Sequence, residues 1–348
     1  MTFAHDLRSA GTAEPPPTAR RTPTAAWRGL VLLAAAVALW LLPMVLDTRS
    51  VSLLSRFMLF GLAALGLDLL WGRAGLLSLG HAALFGLGCY TSGLVLTRTT
   101  WAANDLVAVL AGIAVPAAFG FFAGLVLFKG RIKGVYFGIV TLLFALLFEQ
   151  LAGTWGSLTG GFNGLVVPGG ITIGPLDLEM PSDMYRVVLV VSILGYLVVR
   201  WFASSPLGRA IEASRMNDLR AEALGYDVAV VRAITLGAAG ALAGLAGALY
   251  APVEGFIYPN QLGLVASTSF IVWVAIGGRG TLIGAFVGAV IVNGVQSRLS
   301  DRFQEYWPLL IGCFLLVVIL FEPGGVAGSS RRLVAAVGSV RSRFRARS

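Results

Sequence analysis

The sequence predicts an all-α, polytopic integral membrane protein with about 8–10 transmembrane helices and both termini in the cytosol. Three observations lead there. Apolar runs of about 20 residues recur along the 348-residue chain, long enough to cross a bilayer as helices. Hydrophobic residues make up 57% of the sequence and charged residues only 12%. The charges that do occur sit in the loops and at the two ends, as membrane orientation requires.

Residues 1–26 are polar and rich in Pro, Ala and Thr, with Arg8, Arg20 and Arg21, and read as a disordered cytosolic tail. A signal peptide is not expected, because the first apolar run begins near Trp27 and is long enough to span. Apolar segments follow at about 27–46, 51–72, 75–96, 105–128, 134–153, 185–202, 231–252, 262–277, 280–297 and 307–322. Segment 75–96 is irregular: Gly75, Gly80, Gly86, Gly88 and Gly93 suit close helix packing or a broken helix. Residues 329–348 form a basic tail with six arginines, a positive-inside anchor that also suits anionic lipid headgroups.

With the N-terminus inside, alternation of these segments places twenty of the 26 Lys and Arg residues on the cytosolic side. That bias is the one the positive-inside rule predicts. The 154–184 loop carries no Lys or Arg and falls outside. Segments 262–277 and 280–297 flank Gly277-Gly278-Arg279-Gly280 and read either as two short spans or as a re-entrant pair buried in protein. The net charge of +9 is thereby explained by topology, and no nucleic-acid partner is expected.

Residues 203–229 are the one long polar stretch inside the apolar chain. Ser205-Pro206 is a helix start, since serine caps free N–H groups and proline suits the first helical position. Asn217-Asp218 is a second start, and Gly225 a stop. Two short cytosolic helices are expected, at about 206–215 and 218–224, the second presenting Leu219 and Ala223 with Arg220 and Glu222 beside them. Such a module either inserts into a groove on a partner or lies against the membrane surface.

Ionisable groups inside a membrane are expensive and therefore functional candidates. Asp68, His81 and Glu149 stand out, with Ser78 and Gln150 nearby in sequence. Glu149 either meets the solute near the outer surface or reaches interfacial water. His81 either contacts solute or hydrogen-bonds the backbone. Asp68 either faces a pathway or pairs with an arginine such as Arg73. Asn163, in the outer loop, either orders that loop through the turn conformations asparagine tolerates or contacts an extracytoplasmic protein.

Absences bound the chemistry. No G-x-x-x-x-G-K-[ST] occurs, so the chain is not expected to hold and hydrolyse ATP by the P-loop route. The two histidines, His5 and His81, are far apart, and no metal site is expected. Cys89 and Cys313 both lie in apolar runs and imply no disulfide framework. No catalytic constellation accompanies His81, so an intramembrane enzyme is disfavoured. A stand-alone channel or secondary transporter would want more coupling groups than Asp68 and Glu149.

Several blocks carry a specific resemblance. SPLGRAIEASRMNDLRAEALGYDV is similar to the cytoplasmic loop of permease subunits in ABC importers for branched-chain amino acids. GLDLLWGRAGLLSLGHAALFGLGCYTSGL (66–94), GVYFGIVTLLFALLFEQL (134–151), LTGGFNGL (158–165), AGLAGALYAPVEGFIYPNQL (243–262) and IGGRGTLIGAFVGAVIV (276–292) resemble further elements of that family, in order, over about residues 50–328. The length and extra first span resemble the LivM-type subunit. Asp68 stands where amino-acid permeases usually carry Asn, and VWVAIGGRGTLIGAFVGAVIVNG and Glu305-Tyr306-Trp307 look closer to the sister urea permeases.

The resemblance implies a permease domain over 27–328, without its own ATPase, in a bacterial inner membrane. It implies that Glu222, Ala223 and Gly225 belong to the coupling helix that sits in a cleft of the ATPase, with Arg209 and Asn217 in the same segment. The implied partners are a second, LivH-like permease, two cytosolic ATPases holding ATP and Mg, an extracytoplasmic (in some organisms periplasmic) solute-binding protein, and membrane lipid. The chain itself would bind no cofactor. The implied solute is a branched-chain amino acid, with urea or a short amide as the alternative.

Overall fold

The computed structural model describes residues 34, 36–99, 104–173 and 176–302. The expected tails at 1–26 and 329–348, the segment 307–322 and most of 27–46 lie outside the described residues. The chain divides into two units, Met1–Val45 and Leu46–Ser348. Of the first, residues 36–41 are helical and run into a 3-10 turn at Leu42–Met44, where Pro43 suits the opening of a new helical turn.

The second unit is built from helices. α1 covers Thr48–Asp68, starts on an Asp47 side chain that accepts from the Ser50 N–H, and continues into a π-helical turn at Leu69–Ala74. α2 covers His81–Arg98, α3 Asn104–Lys129, α4 Gly134–Thr154 and α5 Pro181–Ser204. Two short helices, α6 (Pro206–Met216) and α7 (Asp218–Ala223), precede α8 (Val228–Glu254). α9 (Leu264–Gly277) and α10 (Ile283–Arg302) complete the described chain.

Among the described residues, seven helices are long and apolar enough to cross a membrane. They are α1 with its π-helical extension, α3, α4, α5, α8, α9 with the 3-10 turn before it, and α10. The expected span at 75–96 is different. Its first six residues leave the helix at Gly75 (φ +72°) and run irregularly to Gly80, so α2 starts only at His81. The physical reason is contact: a Cβ on Gly80 would collide with the Thr141 carbonyl of α4, so the chain crosses that helix where no side chain fits. The seven are fewer than the expected eight to ten because α2, at 18 residues, is less apolar than the others, although it leads from the α6–α7 end to the outer loop, and because the two end segments lie mostly or wholly outside the described residues.

α1 and α8 form the centre, with 72% and 67% of their most apolar windows buried, whereas α3, α4 and α5 bury under a third and turn broad apolar faces outward. In lipid, apolar side chains gain little by meeting one another, so helices approach through small residues. α3 and α8 do this backbone to backbone. A Cβ on Gly240 would collide with the Pro116 carbonyl, and one on Gly244 with that of Gly112.

The segment after α4 is short turns and two-residue strands. β1 (Leu165–Val166) pairs antiparallel with β4 (Phe256–Ile257), just past the end of α8, and β2 (Thr172–Ile173) pairs with β3 (Leu176–Asp177). Arg98 at the end of α2 donates to the Leu158 carbonyl at 2.9 Å, tying that helix end to the same loop. The loop and the α6–α7 segment thus sit at opposite ends of α4 and α8.

Candidate functional site

The α6–α7 segment follows its local sequence. The Ser205 hydroxyl oxygen accepts from the Gly208 N–H at 3.2 Å, and Asn217 Oδ1 accepts from the Arg220 N–H at 3.1 Å. Gly225 closes the segment at φ +87°, a backbone region glycine enters freely. Ile211 and Ala221 face inward and are buried. Met216, Leu219 and Leu224 face outward at 84%, 76% and 69% exposure, with Glu222, Ala223 and Gly225 exposed beside them. Leu207, one turn before Ile211, is part-exposed at 38%.

Charged side chains hold this module to the helical body. Arg232, near the start of α8 and 7% exposed, donates to both Asp218 oxygens at 2.6 and 3.2 Å and to the Ser214 carbonyl at 3.2 Å. Lys133, just before α4, also pairs with Asp218. Burial pushes the Asp218 carboxyl up, but the Lys133 and Arg232 contacts outweigh it and hold its pKa below the usual value. Arg209 donates to the Ser204 carbonyl at 3.1 Å, closing the end of α5.

A second set of contacts joins the module to the membrane interior. In the Leu69–Ala74 turn, Arg215 Nη1 donates to the Gly72 carbonyl at 2.6 Å, and Arg279 Nε to the Trp71 carbonyl at 3.2 Å, its guanidinium 4.9 Å from the Trp71 ring. Asp68, one turn earlier, accepts from the N–H groups of Gly280 at 2.6 Å and Leu282 at 2.8 Å. Hydrogen bonds at both ends of the 68–72 backbone therefore link α6 to the α9–α10 turn.

Between α1, α2, α4, α8, α9 and α10 lies a cavity of about 450 Å³. Phe60, Phe85, Tyr250, Phe270 and Trp273 pack into one aromatic wall, with Phe60 5.0 Å from Trp273 and 5.4 Å from Tyr250. Glu149, Asn260, Gln261, Asn293 and Gln296 supply its polar side. α9 alone spans 14 residues, and it reaches a spanning length of 19 residues only with the 3-10 turn at Pro259–Gln261 that carries Asn260 and Gln261 into the cavity.

The sequence candidates scatter over these features. Glu149 lines the cavity. Asp68 is fully buried and turned to the 280–282 backbone; Arg73, its expected partner, instead pairs with Glu212 at 3.9 Å. His81 Nε2 lies 3.0 Å from the Ala63 carbonyl, which can only accept, so that nitrogen carries the proton and joins α2 to α1. Its ring meets Phe270 edge-on at 5.8 Å, behind the aromatic wall. Ser78 lines a separate void of about 20 Å³ beside Thr141. Gln150 and Asn163 are exposed, Asn163 in a 3-10 turn of the outer loop. Gln261 was not among the candidates; the polar Asn260-Gln261 pair between apolar segments was its only signal.

A family model for the permease component of branched-chain amino acid transport systems matches residues 50–320. This chain belongs to that family, and it is a multi-pass transport subunit. Among known proteins it is 29% identical over 325 residues to the LivM permease of the high-affinity branched-chain amino acid transport system of Salmonella typhimurium, covering 87% of this chain and 75% of that protein. It is 26% identical over 284 residues to the LivH permease of the same organism, 77% of this chain and 91% of that one. It is also 30% identical over 238 residues to the LsrC permease of an autoinducer 2 import system of Yersinia pseudotuberculosis, 63% of this chain and 67% of that one. No solved structure matches.

Proposed function

We propose that this chain is the LivM-like permease of an ABC importer that carries branched-chain amino acids across a bacterial inner membrane. Its partners on this reading are a LivH-like second permease, two cytosolic ATPases and an extracytoplasmic solute-binding protein. ATP and Mg belong to the ATPases. The names of the LivM and LivH relatives support the solute and the second permease. Urea, suggested by Asp68 and by the 272–294 and 305–307 stretches, is the alternative solute; Asp68 itself is held by backbone N–H groups and does not line the cavity.

One observation carries the reading: an exposed apolar cluster, Met216, Leu219 and Leu224, stands on a module that is rigidly capped and wired inward through Arg215. A short helix with exposed apolar residues fits a groove on a partner protein. ATP-driven closure of the ATPases displaces α6–α7; Arg215 then pulls on the Gly72 turn, and Asp68 passes the motion to the start of α10, a wall of the cavity. Arg209, Asn217, Glu222, Ala223 and Gly225 shape or face that docking surface.

Cysteine crosslinking tests it. In the assembled transporter, a Leu219→Cys variant is expected to crosslink to an ATPase subunit carrying a cysteine in its cleft, with a yield that changes on ATP addition. A crosslink of Leu219→Cys to lipid-linked reagents alone, and never to an ATPase, contradicts the docking role.

A further inference from the structure

We propose that the cavity beside α9 is a solute-binding site in which Glu149 and Gln261 hold an ammonium group and the aromatic wall holds an apolar side chain. This rests on, and deepens, the amino-acid reading above.

Gln261 supplies the first argument. It is 6% exposed, and its Nε2 donates to the Tyr250 hydroxyl at 3.1 Å. Its Oε1 is buried and has no partner among the described residues. Buried acceptors are nearly always satisfied, so this one asks for a donor. Tyr250 belongs to the aromatic wall; its hydroxyl, which can donate or accept, pairs with one end of the amide and leaves the other end, here the oxygen, without a partner.

Glu149 supplies the second. Its carboxylate lies against Gly263, so closely that a Cβ there would collide with both oxygens. No lysine or arginine is among the residues lining the cavity. A cationic solute would supply a side-chain-strength countercharge that the lining lacks. An ammonium has three donors and no acceptor, which suits a carboxylate and an amide oxygen together. Aromatic faces add attraction for the same cation.

The geometry also distinguishes among solutes. Gly263 precedes α9, whose first N–H groups, at Leu264, Val265 and Ala266, lack acceptors within the helix and favour an anion. All three residues line the cavity. An α-amino acid carries its ammonium and carboxylate on one carbon, and here a carboxylate and a helix N-terminus are adjacent. Its apolar side chain then falls on Phe60, Phe270 and Trp273. The volume of about 450 Å³ lies in the range of small-molecule sites. Urea, uncharged and without an apolar part, would leave Glu149 without a countercharge and the wall unfilled.

The test uses the whole transporter in proteoliposomes, with leucine uptake measured against competition by 4-methylpentanoate, which lacks only the amino group. The wild type is expected to import leucine and ignore the competitor. Glu149→Gln and Gln261→Met are each expected to raise the leucine KM about tenfold to a hundredfold with the variant present in the membrane at the wild-type level. Glu149→Asp should recover part of the loss. If Glu149→Gln does not reach the membrane, Gln261→Met decides. Wild-type KM in the recovered variants, or strong competition by 4-methylpentanoate in the wild type, overturns this site. A wild type that imports no leucine overturns the function proposed above and this site with it.

Discussion

The Asp68 carboxylate holds Leu282 in a left-handed backbone conformation. Leu282 has φ +57°, and its N–H donates to Asp68 Oδ2 at 2.8 Å across 214 residues of sequence. For a residue with a Cβ that conformation costs about 1–2 kcal/mol. Hydrogen bonds to a charged acceptor contribute about 1.5–3 kcal/mol each and offset it. Leu282 immediately precedes α10, so the anchor sets where that helix begins. Asp68→Ala should therefore destabilise the protein by about 3 kcal/mol or more, and Asp68→Asn by less, since an amide keeps one acceptor oxygen. Melting in detergent checks the order; an Asp68→Ala variant as stable as wild type contradicts it.

Arg215 links the docking module to the same region through the Gly72 carbonyl. Arg215→Ala should leave membrane insertion and ATPase binding intact and cut ATP-driven uptake severalfold, because the module moves without its inward connection. Simultaneous measurement of ATP hydrolysis and solute uptake distinguishes this from a folding loss: hydrolysis persists while uptake falls.

Gly225 sits at φ +87° with open space around it. Gly225→Ala costs only backbone strain, about 1 kcal/mol, and should retain transport. Gly225→Arg adds bulk beside Leu224 on the exposed face and should abolish coupling with insertion unchanged. Equal uptake by the two variants contradicts the docking role.

Asp218 gives a pH prediction. Its pKa is held below the ordinary value of 3.8 in the folded protein. The stabilisation it contributes is complete above about pH 4 and is lost as pH falls through the lowered folded value. Hydrogen exchange of α7 amides, corrected for the intrinsic pH dependence, should show constant protection from pH 8 to pH 5 and loss only below about pH 4. Asp218→Asn should show the loosened state at every pH.

Local signals were legible in the sequence and distant ones were not. Ser205, Asn217 and Gly225 gave the docking helices to within a residue or two, because a cap bonds its own neighbours. Gly75 and Gly80 were compatible with close packing or with a broken helix; the structure shows the break before His81, and only the approach of Thr141 from α4 explains why it falls there. Asp68 was noticed as an intramembrane charge, but its partners lie more than two hundred residues on, and no local pattern names them. Gln261 was missed because a loop amide is unremarked in sequence; it matters only where it pairs with Tyr250.

The most direct test of the central claim is ATP-dependent uptake by the reconstituted transporter, with labelled leucine and labelled urea offered in parallel. The account predicts leucine accumulation that requires ATP and this chain, and no urea accumulation. Accumulation of urea without leucine would contradict it.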